Sequence, residues 1–507
     1  MAAITGRAAD RPFPPGRYDV VVVGSGPGGL QTSYALRRLG VRHAVLSRDD
    51  APGGMFRHLP IFQRLITWTK PAAPVPRTSR EYEWFDHNSL LADEPELKAL
   101  VPGLMDRSFD LPSREEMAAG LAEFAERAQL EVRYGCAWEG TRLDAERVVL
   151  ETSDGEYEAG AVVFALGVTQ PWRAAVPGLE HAAHYVDTTH AERYADRRVF
   201  IVGKRNSGFE VAQGLLPWAR ETILASPRPV ETGALALSAL RVRYLHPYDE
   251  YARGGPGTYV IDATIERIER NGDGFRVITH GTIWDGSLTF DVDDVIAATG
   301  FQTPFRDLTQ LGLVTVNDGR VPALTPWWES VSLPRVYFAG NASSGAKGIG
   351  KRGAGASSTA VNGFRYNARV LARHIAESRF GRARERATVA PGDVTPYLLS
   401  ELSVAPELWV QKGYLCRVLT ASDGAFVDDG IEPVAHFLDA GGPDAVAATI
   451  EVDGSGGIVP TVYVRGRRGV VEHELAPHPL RKYDSEPYQR ELATRLRDVL
   501  RAARSPA

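Results

Sequence analysis

Two glycine-rich turns hold the residues best equipped to grip phosphate. The first, Gly24-Ser25-Gly26-Pro27-Gly28-Gly29, follows the apolar run Tyr18 to Val23. The second, Gly203-Lys204-Arg205-Asn206-Ser207-Gly208, follows Val199-Phe200-Ile201-Val202. Each stands where a buried parallel strand would pass into a helix, whose first N–H groups have no partner within the helix and attract a diphosphate. Gly24 permits the sharp turn, Gly26 lets a pyrophosphate approach the backbone, and Gly29 lets the helix pack against the sheet. The second turn has Arg205 where the middle glycine would stand. Two such turns can hold two dinucleotides.

Other residues cluster around these loops in the same pattern. An acidic residue for a ribose is expected about 20 residues after the first loop; Ser47 stands there, followed by Arg48, with Asp49 and Asp50 close by. Gly53-Gly54-Met55-Phe56 forms a further glycine turn. After the second loop and its next strand comes Ser226-Pro227-Arg228, a serine and an arginine suited to a 2′-phosphate, which favours NADPH over NADH. Two short apolar strands end in Ala165-Leu166-Gly167 and Ala298-Thr299-Gly300, and a third ends in Gly340-Asn341.

The elements that position these residues predict an α/β fold. It has two Rossmann-like dinucleotide-binding domains, the second inserted in the first, and a small α+β appendage at the C-terminal end. The first domain is expected over residues 18–184 and 296–378, the second over 185–295, and the appendage over 390–507. The first helix is expected over Leu30 to Leu39 with Gly40 as its cap. A last helix is expected to carry Leu492, Leu496, Val499 and Leu500 on one face. The appendage leaves two roles open, capping the active site or forming a homodimer.

Composition narrows the class. The chain has 507 residues, 44% hydrophobic and 24% charged, with a net charge of −5, which offers nucleic acid no broad basic field. No apolar run is long enough to span a membrane, and residues 1–17 lack the apolar core of a secretory signal, so a cytoplasmic protein is expected. Its two cysteines, Cys136 and Cys416, form no close-spaced pair, which argues against dithiol–disulfide exchange. The histidines are scattered, and no metal is assigned.

The order of motifs resembles the class B flavoprotein monooxygenases: a phosphate loop, Gly-Gly-x-aromatic, Ala-x-Gly, a second loop with Asn-Ser-Gly, Ala-Thr-Gly-Phe and a terminal Gly-Asp/Asn. The stretches Arg64-Leu65-Ile66-Thr67 and Asp86 to Leu91 are closer to the FAD-dependent oxidoreductase domain-containing proteins. The resemblance spans roughly residues 18–375. It implies FAD on the first loop, with Met55 and Phe56 beside the flavin and Asn341 on its ribityl chain, and NADPH on the second. It implies a C4a-(hydro)peroxyflavin and N-oxygenation of a small amine or amino acid by O2, with Thr69, Lys70 and Asn88 near the flavin and His190 near NADPH. The segment His184-Tyr185-Val186 departs from the monooxygenase fingerprint, which keeps two other readings open. One is an NADPH-dependent flavin oxidoreductase or oxidase without oxygen insertion; the other is a non-catalytic nucleotide-sensing module.

If Arg228 reads the 2′-phosphate, removing its charge weakens NADPH binding by roughly 1.5–3 kcal/mol, the scale of one charge-assisted hydrogen bond. NADH binding is then little changed. Titration of Arg228→Ala with both coenzymes checks this, and equal losses would make Arg228 structural.

Overall fold

The computed structural model describes residues 11–58, 64–109, 111–144, 146–230, 257–346, 355–383, 385–453 and 457–502. Residues 1–10 of the N-terminal stretch 1–17 lie outside them. The chain forms two compact units. One comprises Met1–Phe56, Thr67–Gly167 and Pro304–Ala507; the other comprises Arg57–Ile66 and Val168–Thr303.

In the first unit, the strand Gly16–Val23 runs parallel to His43–Leu46 on one side and to Gly155–Phe164 on the other. Val336–Phe338 adds a fourth parallel strand against the end of Gly155–Phe164. Val148–Thr152 and Trp138–Leu143 extend the sheet antiparallel. Val20, Val21 and Val22 are fully buried, the continuous apolar run expected of a parallel strand covered on both faces. The register pairs Val23 with both Leu46 and Phe164, and Phe164 with Phe338. Four strands therefore end at one level, and the segments beginning at Gly24, Ser47, Ala165 and Ala339 leave from there. In open α/β sheets ligands bind at this carboxyl edge.

The first helix runs Pro27–Arg38, earlier at both ends than the sequence pattern suggests. Proline suits the first turn because its missing N–H would have no partner there, and Arg37 and Arg38 suit the negative end of the helix dipole. Gly40 follows the helix end at φ 66°. This helix packs against Val361–Phe380.

The C-terminal segment forms an antiparallel sheet of six strands in the order Thr388–Val389, Ala425–Pro433, Leu415–Ser422, Ala445–Val452, Ile458–Gly466 and Gly469–Glu474. The helices Val394–Val404 and Pro406–Val410 accompany it. It is fastened to the turn Arg80–Trp84. Arg80 bonds Glu401 at 2.8 Å and Glu407 at 2.7 Å, and Arg417 bonds Glu401 at 2.8 Å. Trp84 donates from Nε1 to Val404 O and packs against Trp409. The expected final helix is two, Glu486–Arg495 and Arg497–Ala502. They meet at Leu496, which is fully buried together with Leu492.

The second unit has a seven-stranded sheet in the order Ser287–Val292, Gly274–Gly281, Thr258–Asn271, Glu221–Ser226, Arg198–Val202, Asp294–Ala297 and Ala183–His184. Thr258–Asn271 runs parallel to Glu221–Ser226 up to Asp262, then turns to an antiparallel partner, Gly274–Gly281. Gln170–Pro171 and Phe301–Gln302, which follow the two Ala-x-Gly strands, pair with each other.

Candidate active site

The first loop is built from backbone packed against backbone. Gly24 has φ 118°, and a Cβ there would lie 2.5 Å from Ala165 O. A Cβ on Gly28 would lie 2.6 Å from Gly340 Cα, and one on Gly29 would collide with Gly24 O. Gly26 is different. It is the N-cap of the helix at φ −77°, ψ −178°, a conformation open to any residue. A Cβ there would meet nothing closer than Gly54 Cα at 3.9 Å. Neither its conformation nor its protein neighbours require glycine at this position. The empty space in front of Gly26, above a helix start that no side chain caps, fits a pyrophosphate.

Around this space the expected residues converge. The Ser25 and Ser47 hydroxyls are 2.8 Å apart and both are buried, so the serine in the ribose position is tied to the loop. Arg48 is exposed. Gly53 N donates to Ser25 O, and Gly54, at φ 54°, stands beside Gly26. Phe56 is buried and Met55 half-buried. Gly340, at φ 70°, closes on Gly28, which carries half-buried Asn341 to the same strand edge.

Thr69, Lys70 and Asn88 are brought together by Asp86, which the sequence reading passed over. Thr69 Oγ1 donates to Asp86 Oδ1 at 3.0 Å, and Asn88 Nδ2 donates to Thr69 Oγ1 at 2.9 Å. Asn88 Oδ1 accepts from Thr67 Oγ1 at 2.7 Å, while Asp86 Oδ1 also accepts from the Asn88 and Ser89 backbones. Thr69, Asp86 and Asn88 are buried. Their hydrogen bonds fix the segment Thr67–Lys70 to Phe85–Ser89. Lys70 is bound through its backbone N to Phe85 O, and its exposed ammonium lies 5.9 Å from the centre of the Phe85 ring. An Asp-x-Asn-Ser turn is the sequence signal that points to Asp86.

His190 belongs to the second unit, where it is exposed at the start of Ala191–Tyr194. The histidine with a defined environment there is His184. Its Nδ1 accepts from Val186 N at 3.3 Å, and its Nε2 lies 3.1 Å from Gly300 O. Burial pulls its pKa down, which leaves a neutral ring that donates from Nε2. It holds Gly300, which has φ 101°, at the end of its strand.

The second loop repeats the geometry of the first. Gly203 has φ 120°, with Ala298 O where Gly24 meets Ala165 O, and a Cβ on Gly208 would collide with Gly203 O. Arg205 is the N-cap of the helix Asn206–Leu215, at φ −105°, ψ −168°, and is exposed. Its place matches that of Gly26, so a side chain leaves the backbone where the first loop has none. Asn206 and Ser207 open the helix. Lys204 turns inward to an ion pair with Asp262, the residue in register with Ser226. Asp262 lies far from the loop in sequence, and only the sheet pairing reveals it. Arg228 is exposed beyond Ser226.

The comparisons with known proteins follow this arrangement. The family model for pyridine nucleotide-disulphide oxidoreductases matches residues 21–340. The chain belongs to that family. It is 31% identical over 222 residues to the FAD-dependent oxidoreductase domain-containing protein 2 of Danio rerio, a match that covers 42% of this chain and 31% of that protein. The chain thus spans about a third of that relative. It is 24% identical over 369 residues to the flavin-containing monooxygenase FMO GS-OX-like 2 of Arabidopsis thaliana, covering 64% of this chain and 71% of that one. Among solved structures, the bacillithiol disulfide reductase Bdr of Staphylococcus aureus shares the fold, with a TM-score of 0.56 at 15% identity, over 72% of this chain and 99% of that one. The names of both relatives carry a flavin and the family's name a pyridine nucleotide, the two dinucleotides expected on the two loops. The "disulphide" in the family name finds no dithiol here. Cys136 is buried in the cluster around Trp138 and Phe164, Cys416 in the one around Val418 and Phe437. Burial raises both thiol pKa values, which suppresses the thiolate that exchange requires.

The glycine geometry separates a binding role from a folding role. Gly26→Ala should yield folded protein with wild-type circular dichroism but no bound flavin, because its Cβ fills ligand space alone. Gly29→Ala should fail to fold, because its Cβ meets backbone. Flavin retention in Gly26→Ala would show that the space serves nothing.

Proposed function

We propose that the protein is an FAD- and NADPH-dependent monooxygenase that oxygenates a heteroatom, nitrogen foremost, in a small amine or amino acid. The observation that carries this reading is the repeated loop geometry in a chain whose two thiols are sealed in separate cores. Gly24 to Gly29 would hold the FAD diphosphate on the N-terminus of Pro27–Arg38. Ser47 and Arg48 would lie by its adenosine ribose, Gly54, Met55 and Phe56 beside the flavin, and Asn341 on the ribityl chain, where it can donate and accept. Gly203 to Gly208, with Ser226 and Arg228, would hold NADPH, Arg205 and Arg228 facing phosphate while Asp262 neutralises Lys204. Held by these residues, the two coenzymes would supply hydride transfer and reduction of dioxygen.

The chain's own part is positional. Asp86 holds Thr69 and Asn88 in one arrangement, and they in turn fix the turn that carries Lys70. The Lys70 ammonium, without a carboxylate partner among the described residues, supplies positive charge where negative charge develops on oxygen. His184 holds Gly300, while His190 stays exposed for a role near NADPH. The partners in this reading are a small-molecule substrate and O2; a homodimer and a cytoplasmic location belong to the same proposal. The higher identity to the FAD-dependent oxidoreductase domain-containing protein favours one alternative, an oxidoreductase that reduces oxygen without inserting it.

Anaerobic mixing with NADPH should bleach the flavin absorbance, and admission of O2 with an amine or amino-acid panel should give oxygenated product. Lys70→Ala should leave the bleaching rate nearly intact and divert electrons to hydrogen peroxide. A wild type that gives only peroxide would establish the alternative. Unchanged coupling in Lys70→Ala would remove Lys70 from the reaction.

A further inference from the structure

The ion pair between Lys204 and Asp262 spans the end of a strand. Gly203 N donates to Ala225 O at 2.8 Å, so the second loop leaves its own strand beside the end of Glu221–Ser226. Glu221–Ser226 is the middle one of three parallel neighbours, with Arg198–Val202 on one side and the start of Thr258–Asn271 on the other. Asp262 stands in that third strand, in register with Ser226. Lys204 follows the first strand and pairs with Asp262 across the second. Ser226 therefore lies at the strand end that the ion pair bridges.

The two partners differ in exposure. The Lys204 side chain is 1% exposed and that of Asp262 is 19%. Burial pulls the Lys204 pKa down, and the hydrogen bond and charge of Asp262 pull it up. The buried partner is the cation, and the edge left to solvent belongs to the carboxylate. A second tie fixes Asp262 to the turn that carries Arg228. Thr282 N donates to Asp262 O at 3.0 Å, and Thr282 Oγ1 donates to Pro227 O at 2.7 Å. Ser226, Pro227 and Asp262 are thus held at one edge of the second sheet.

This edge, after the strand that follows the phosphate loop, is where an adenosine ribose is read. An acid there accepts from the ribose hydroxyls of NADH, and its negative charge repels the 2′-phosphate of NADPH. We infer that Lys204 sets the coenzyme preference through Asp262: it neutralises a carboxylate that would otherwise exclude the 2′-phosphate. The inference rests on the second loop holding a nicotinamide coenzyme, as proposed above. Lys204 is then a positioning residue and not a phosphate ligand, the reverse of what a lysine in a glycine-rich loop suggests.

Calorimetric binding of NADP⁺ and NAD⁺ to the purified holoprotein tests this without turnover. Wild type should favour NADP⁺. Lys204→Met leaves the Asp262 carboxylate unpaired and should weaken NADP⁺ binding by about tenfold or more, the scale of one charge-assisted interaction, while NAD⁺ binding holds. Lys204→Arg should keep the wild-type ratio. The double variant Lys204→Met/Asp262→Asn should recover NADP⁺ binding, because both charges leave together. A double variant as weak for NADP⁺ as Lys204→Met would overturn the inference, since Lys204 would then touch the phosphate itself. Equal losses of both coenzymes in Lys204→Met would overturn it too, as the mark of a purely structural pair. If Lys204→Met does not fold, Asp262→Asn decides: the preference for NADP⁺ should hold or rise, and a fall contradicts the inference. Any of these failures in a protein that still binds NADP⁺ leaves the two-coenzyme reading standing. A wild type that binds neither coenzyme removes that reading, and the inference with it.

Discussion

The structure depends on the close approach of three backbone segments at the carboxyl edge of one parallel sheet. Gly24 lies against Ala165, Gly29 against Gly24, and Gly28 against Gly340, all at distances that admit no side chain. These contacts place the start of the helix Pro27–Arg38 at the end of the strand Gly16–Val23 and bring Asn341 to the same edge. The space in front of Gly26 is bordered by a second glycine, Gly54, whose Cα is the nearest atom to a Cβ at Gly26. Such packing is intolerant of substitution, since protein interiors have few voids to absorb an added methyl group. The second unit reaches the same geometry at Gly203, Gly208 and Ala298.

The two loops differ where function would differ. Gly26 leaves an opening, whereas Arg205 in the equivalent place offers a charge. Both backbones are extended there, so neither conformation requires glycine. A diphosphate approached closely by backbone suits the first arrangement, and an arginine at the start of the second helix adds a positive side chain beside a phosphate-binding turn. The sealed cysteines complete the distinction. This chain shares its fold with a bacillithiol disulfide reductase, while its own two thiols are buried in separate clusters.

Sequence pattern revealed the loops because their chemistry is local: a strand, three glycines and a helix within about twenty residues. It also read the crossing strands, the terminal Gly-Asn and the α/β class, for the same reason. Thr69, Lys70 and Asn88 were singled out by the resemblance to flavoprotein monooxygenases, but Asp86, which organises them, is visible only once two segments pair. Lys204 illustrates the limit further. In sequence it is a phosphate-loop lysine, yet its partner Asp262 arrives from a distant strand and turns it inward.

The central claim is that the first loop holds a dinucleotide flavin. It is tested most directly by denaturing the purified protein and identifying what is released by chromatography and mass. The account requires FAD, close to one per chain, with its adenosine diphosphate intact. Release of FMN, or a colourless protein that FAD does not reconstitute, would contradict it.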